Sequence, residues 1–431
     1  MLRRLYSLAW YLATPLIMLY LWRRSRQIAG YADHWGERFG YYPAIEAKPI
    51  LWVHSVSVGE TRAAAPLIRA LQQHYPHHQI LMTGMTPTGR DTARKLFGDG
   101  ILQAYLPYDQ PGAVKRFLRH YRPDVGLILE TELWPNLFHF AKQLGVPVYV
   151  VNARLSDKSL AGYMRIRHLI APALGELSGI AAQSDEAARK LRELAGSFAP
   201  AIQVSGNLKF DFHPGQRLID QGRQWRKTIG KQPTWLAAST REGEEALILA
   251  QLACSPWAAH ALLILVPRHP ERFDEVADLL DQHALTYVRR SQWDGTSPLP
   301  AGTQVILGDS MGEMTAWLSA VDVAFVGGSL LAFGCHNVIE PCALGCPVVF
   351  GPSTFNFPEA TAEALAAGAA RQVQDASELI DTVSRLLDDP STRNEMRIAG
   401  RALVNKHKGA VERVIAMLPA KTQLTNVSAP D

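Results

Sequence analysis

The sequence predicts an α/β protein of two doubly wound domains behind an N-terminal apolar helix. Short apolar runs alternate with helix-like stretches along most of the 431 residues, as strands buried between helical layers do. The alternation pauses at Pro214-Gly215 and then restarts. Leu5 to Trp22 carries no charge over about eighteen residues, close to the length a bilayer core demands. The expected division is an anchor at 1–24, α/β domains at 25–213 and 214–419 facing one cleft, and a disordered tail at 420–431.

Arg3-Arg4 and Arg23-Arg24, with Arg26 beyond, bracket the apolar stretch, and Trp10, Tyr11, Tyr20 and Trp22 suit its interfaces. A cleaved signal peptide is the competing reading. The run is long and aromatic, lacks a clear small-residue cleavage site, and leads into basic residues that favour a cytoplasmic side. With Pro15 inside it, the segment could also lie in the interface instead of crossing. Ile28 to Tyr42 follows as an aromatic and basic collar, suited to headgroups or to ordinary domain packing.

Strands of the first domain are expected at Pro49 to Val56, Gln79 to Thr83, Ile101 to Leu106, Val125 to Glu130, Val146 to Val151, Gly179 to Ala182 and Ile202 to Ser205. Ligands of α/β sheets gather in the loops after strands, so those loops carry the candidates. After the first strand, Gly59 allows close approach, and Glu60 opens a helix either as a general base or as a carboxylate favoured by the helix dipole. Thr83 to Arg90 reads as an anion-receiving helix start or a plain capped turn. Glu130 and Glu132 stand two apart at the end of the fourth strand, where strand alternation points both carboxylates to the same face. Arg154 follows the fifth strand as an anion ligand or as a partner for one of those carboxylates.

In the second domain, strands are expected at Thr234 to Ala238, Ala261 to Val266, Leu285 to Val288, Val305 to Leu307, Val321 to Val326 and Pro347 to Phe350. Ser239 to Glu244 has an anion-binding pattern, and Arg268-His269 between two prolines forms a cationic patch suited to a nucleotide phosphate. Asp309 to Met314 could offer backbone groups to a base edge or simply cap a helix. Gly327-Gly328-Ser329 ends a strand with a sharp turn that could approach a ligand. The next helix is expected near His336, and Glu340 in or beside it reads either as an acceptor for a ribose diol or as a carboxylate favoured by the helix dipole.

Other classes fit poorly. A formal charge of +4 is modest for this length and does not indicate a nucleic-acid binder, though a mildly basic surface suits an anionic membrane or a phosphorylated substrate. There is no Asp-x-Asp pair, no Gly-Lys-Ser or Gly-Lys-Thr, and no G-x-G-x-x-G in the first βα turn, which weakens metal-held diphosphate, P-loop and NAD readings. The four cysteines are most simply reduced thiols that pack.

Together the loops resemble the Kdo (3-deoxy-D-manno-octulosonic acid) transferases of lipopolysaccharide synthesis. The similarity spans nearly the whole chain: HSVSVGE at His54 to Glu60, MTPTG at Met85 to Gly89, ETELWPN at Glu130 to Asn136, NARLS at Asn152 to Ser156, GNLKFD at Gly206 to Asp211, PRHPERF at Pro267 to Phe273, and GGS with His-Asn and Glu-Pro from Gly327 to Pro341. The resemblance implies a GT-B glycosyltransferase that moves Kdo from CMP-Kdo to a tetraacylated lipid A precursor at the cytoplasmic side of the inner membrane. It implies an acceptor-binding N-terminal domain, a CMP-sugar-binding C-terminal domain, and an inverting displacement without a metal or resident cofactor. Glu60 matches the catalytic base, Glu340 the ribose ligand, and Arg268, Gly312, Met314 and Asn337 the other CMP contacts. The family usually carries a second glycine before the His-Asn pair, where this chain has Cys335. The architecture by itself leaves open a transferase or epimerase using another nucleotide sugar, or a membrane-tethered binding protein without turnover.

Overall fold

The computed structural model describes residues 1–28, 30–212, 214–230, 232–255 and 260–420. The tail expected to be disordered lies, from 421 on, outside the described residues. Helix α1 (Leu2–Ser25) opens the chain. A first sheet follows from β1 (Ile50–His54), β2 (Gln79–Gly84), β3 (Leu102–Tyr105), β4 (Val125–Leu129), β5 (Val148–Ala153), β6 (Gly179–Ala182) and β7 (Ile202–Val204). Its order is β3-β2-β1-β4-β5-β6-β7, parallel throughout.

Alternation along β1 shows why these residues make a doubly covered strand. Ile50 and Trp52 enter the core on one face, Leu51 and Val53 the core on the other, and all four are buried. The collar belongs to this unit. Glu37 is buried and accepts from the Tyr105 amide at 2.7 Å and from Arg90 at 2.8 Å, while Arg38 donates to Met85 O and stacks on Tyr105. Domain packing therefore accounts for much of the collar.

The second sheet uses β8 (Thr234–Thr240), β9 (Leu262–Pro267), β10 (Tyr287–Arg289), β11 (Val305–Leu307), β12 (Val323–Val326), β13 (Val348–Phe350) and β14 (Ala370–Gln372), in the parallel order β10-β11-β9-β8-β12-β13-β14. Its two faces are again separate cores, Trp235 and Ala237 on one side and Leu236 and Ala238 on the other. β14 has no counterpart among the expected strands, because this edge strand exposes Arg371 and Gln372 and lacks an apolar run.

Contacts divide the chain into one unit of Met1–Asp211 together with the segment from Gly409, and another of Phe212–Lys408. Helix Ala410–Met417, placed by the sequence in the second domain, therefore packs in the first unit. Asp211 accepts from the Gly409 and Val411 amides at 3.0 and 2.7 Å, and Val411 and Val414 join the core that holds Leu67 and Leu71.

Candidate active site

In an open parallel sheet, ligands collect outside the carboxyl ends of the strands, where the strand order reverses. That point lies between β1 and β4 in the first unit and between β8 and β12 in the second. The loops after β1, β4, β5 and β6, four neighbouring strands, together build a groove of about 570 Å³ lined by Glu60, Glu130, Glu132, Arg154, Ser156 and Lys190.

Glu60 stands in the first turn of α2 (Val58–His74), whose N-cap is Ser57. The two form a capping arrangement: Glu60 N donates to Ser57 Oγ at 3.3 Å, and the carboxylate accepts from Ser57 Oγ at 2.9 Å and from Val56 N at 2.7 Å. The helix-start role and the groove position therefore coincide. Burial, chiefly, raises the Glu60 carboxyl above its ordinary value; the Val56 bond opposes this and the charge of Glu130 adds to it.

β4 ends at Leu129, so strand alternation does not align Glu130 with Glu132. Glu130 instead takes a left-handed turn at φ 57°, uncommon for a side chain with a Cβ, and both residues line the groove. The Glu130 carboxylate pairs with Arg154 Nε at 3.3 Å and Lys209 Nζ at 3.6 Å, so Arg154 does serve a carboxylate. Burial, with the charges of Glu60 and Glu130 adding to it, pushes Glu132 up to about 7. In the loop after β2, Thr86 Oγ1 accepts from Gly89 N at 3.2 Å, the capped turn.

In the second unit, Arg268 is exposed just past β9, and its guanidinium makes no ion pair among the described residues. Its neighbour His269 accepts at Nε2 from Arg241, which also covers the Phe333 ring at 4.6 Å. Gly312, at φ 81°, and Met314 flank Glu313 after β11. The Glu313 carboxylate accepts from Arg290 at 2.8 Å and Gln221 at 3.0 Å. Helix Ile339–Leu344 begins three residues later than expected, with Asn337 Oδ1 accepting from Ile339 N at 3.0 Å. Glu340 accepts from Thr315 Oγ1 at 2.6 Å, which ties that helix to Met314–Ala320, and burial raises its carboxyl. Among the described residues no hydrogen bond joins Arg268, Gly312 or Met314 to Asn337 or Glu340.

The glycine turn after β12 is built otherwise than the sequence suggests. A Cβ on Gly327 would stand 2.6 Å from Ser239 O, so this glycine serves the close crossing of the β8 and β12 ends. The amides of Gly328, Ser329 and Leu330 all donate to the buried carboxylate of Glu244, at 2.7, 3.0 and 2.9 Å, and Arg241 N donates to it at 2.8 Å. Glu244 fills the nest that a bound anion would otherwise take. The neighbouring Glu245, also buried, receives two bonds from Arg272, at 2.7 and 3.1 Å. The anion-binding pattern expected of Ser239 to Glu244 is thus occupied by the chain's own carboxylate, and no local signal in the sequence marks Glu245.

Two parallel doubly wound units of this kind make up the GT-B fold. MurG from Acinetobacter baumannii has a similar fold, with a TM-score of 0.53 at 13% identity over 86% of this chain and 99% of that one. Residues 33–212 match the family model described as 3-deoxy-D-manno-octulosonic-acid transferase (kdotransferase). A 3-deoxy-D-manno-octulosonic acid transferase of Bordetella pertussis is 42% identical, covering 96% of this chain and 98% of that protein. Another from Haemophilus influenzae is 38% identical over 97% and 98%. The chain belongs to the Kdo transferase family of lipopolysaccharide synthesis.

Proposed function

We propose that the protein transfers Kdo from CMP-Kdo to a tetraacylated lipid A precursor, at the cytoplasmic face of the inner membrane, by a single inverting displacement that requires no metal or resident cofactor. The observation that carries this reading is Glu60, a partly buried carboxylate with a raised proton affinity at the mouth of the β1/β4 switch point. Its oxygens accept one hydrogen bond each from Ser57 and Val56, which orients the carboxylate and leaves lone pairs for an acceptor hydroxyl. A raised pKa makes it a stronger base once ionised.

As the acceptor oxygen attacks the anomeric carbon, its proton passes to Glu60 and the bond from that carbon to the CMP phosphate oxygen breaks on the opposite face. The ion pairs of Glu130 with Arg154 and Lys209 balance charge beside the base. In the second unit, Arg268 would meet the phosphate and stabilise charge on departing CMP. Gly312, Met314 and Asn337 would contact the nucleotide, and Glu340 would accept from the ribose diol.

Mass spectrometry of a detergent reaction containing the protein, CMP-Kdo and the lipid acceptor tests the reading, run beside Glu60→Gln. Product raised by one or more Kdo masses is expected. The variant should fold and bind CMP but lose at least about a hundredfold in rate, the usual contribution of a positioned base. Absence of product from folded, CMP-binding protein overturns the acceptor assignment, and near-normal turnover by the variant removes Glu60 as the base.

A further inference from the structure

Arg3, Ser7, Trp10, Thr14, Ile17, Leu21 and Arg24 recur along α1 in steps of three and four, and all are buried or half-buried. This stripe is fastened to the first unit by polar contacts. Arg3 and Ser7 both donate to Asn136 Oδ1, at 3.1 and 3.0 Å. Asn136 is fully buried in helix Pro135–Gln143, with its side-chain nitrogen donating to Asp109 O and its amide to the Asp109 carboxylate. Further along, Gln110 donates to Thr14 Oγ1 at 2.7 Å, Gly112 N donates to the Tyr11 hydroxyl at 3.3 Å, and Trp10 stacks on Tyr108. Leu21 is buried near the far end.

Leu5, Leu8, Leu12, Leu16 and Leu19 form a second stripe at the same spacing, and all are exposed, Leu12 and Leu16 to 71% and 69%. Tyr20 and Trp22 are exposed beside them, and Arg26 stacks on Trp22 at 3.9 Å. Exposed Arg4, Arg23 and Arg26 give both ends of the helix a positive charge.

We propose that α1 does not cross a bilayer but lies in the plane of an anionic one, with its polar stripe keyed into the first unit and its leucine stripe at the acyl-chain boundary. The seated residues run from Arg3 to Leu21, about 27 Å of helix at 1.5 Å per residue and close to the roughly 30 Å of a hydrocarbon core. A crossing helix would carry Asp109, Gln110, Gly112 and Asn136, with the charged Lys115 and Arg116 on the same segment, into a medium that cannot solvate them. Lying flat keeps every seating bond and still buries the leucines. The arginines at the ends complement anionic headgroups, which favours a lipid surface over a second protein chain. The proposal deepens the membrane placement above and rests on it.

The test uses the full chain in a Cys254→Ser background, bound to vesicles of phosphatidylethanolamine and phosphatidylglycerol without donor or acceptor. Spin labels on Leu5→Cys, Leu12→Cys and Leu19→Cys are read for depth by oxygen and nickel relaxation, and Leu2→Cys is probed with an impermeant thiol reagent. One common shallow depth, about 5–10 Å below the headgroups, and free labelling of residue 2 from outside are expected. A profile deepest at residue 12, with residue 2 protected until the vesicles are lysed, overturns in-plane docking and leaves the membrane placement standing. Lack of vesicle binding, with the leucines covered in a dimer or by another protein, overturns both. A Leu12→Glu, Leu16→Glu variant should partition at least about tenfold more weakly while melting normally and keeping transfer to detergent-dispersed acceptor. Unchanged partition counts against the leucine stripe as the lipid contact.

Discussion

Glu132 lies two residues beyond Glu130 in the same groove, and its proton affinity has a consequence for stability. Its folded pKa, about 7, stands above the ordinary 4.5, so between those values the folded chain binds more protons than the unfolded one. The stabilisation is complete below the unfolded value and is lost as pH rises through about 7. Glu132→Gln removes the penalty of ionising beside Glu60 and Glu130. It should raise stability at pH 8 by on the order of 1 kcal/mol, after discounting for solvent screening at a partly exposed site, and change little near pH 5. Urea midpoints at the two pH values check this, and a loss at pH 8 would show that the carboxylate has a favourable partner. Cys335 shows a different local cost: it is buried at φ 62°, where glycine is the comfortable residue, and burial pushes its thiol up to about 12. Its amide nevertheless donates to Gly328 O at 2.7 Å, so the loop tolerates a side chain there.

At the scale of elements, the ends of β8 and β12 depend on one carboxylate. Glu244→Ala would leave four buried or half-buried amides without an acceptor, each worth about 1–3 kcal/mol when orphaned. The expected result is a loss of at least about 3 kcal/mol in the second unit, together with weaker CMP binding, because Gly328 to Leu330 lose their shape. Denaturant unfolding and calorimetric titration with CMP measure the two effects, and a stable variant with ordinary CMP affinity would show that the turn holds without Glu244. The sequence could not announce this residue. Gly327-Gly328-Ser329 is visible as a turn and Ser239 to Glu244 as an anion-binding pattern, but the meeting of Glu244 with that turn depends on β8 and β12 being neighbours across some eighty intervening residues. The place of Glu60 was legible because it is local, in the first turn of the helix that follows β1. Asn136 was read as part of a site motif, yet its side chain seats α1, a contact over a separation of 129 residues from Ser7.

In the molecule as a whole, apolar alternation made both sheets legible except β14, and it could not reveal that the chain returns to its first unit at the end. Helix Ala410–Met417 follows the second unit in sequence and has an ordinary amphipathic pattern, so nothing local says which core it completes. The core does: Ala410, Val411, Val414 and Leu418 pack with Leu67, Ile68 and Leu71, while Asp211 caps the helix start and Arg413 donates to Ser205 O at 2.8 Å. Ending the chain at residue 408 removes about 1.5–3 kcal/mol of burial for each of the larger side chains and uncovers their partners on α2. Such a chain should melt in two steps, with the first unit lowered by roughly 10 °C or more and the second unchanged. Hydrogen exchange should show lost protection in β1 and α2 but not in β8 or β12. Equal loss in both units would mean that residues from 409 on stabilise the second as well. A chain resuming at 409 through a short linker after Asp211, without the second unit, should recover the protection of β1 and α2, because every contact named here lies within the first unit.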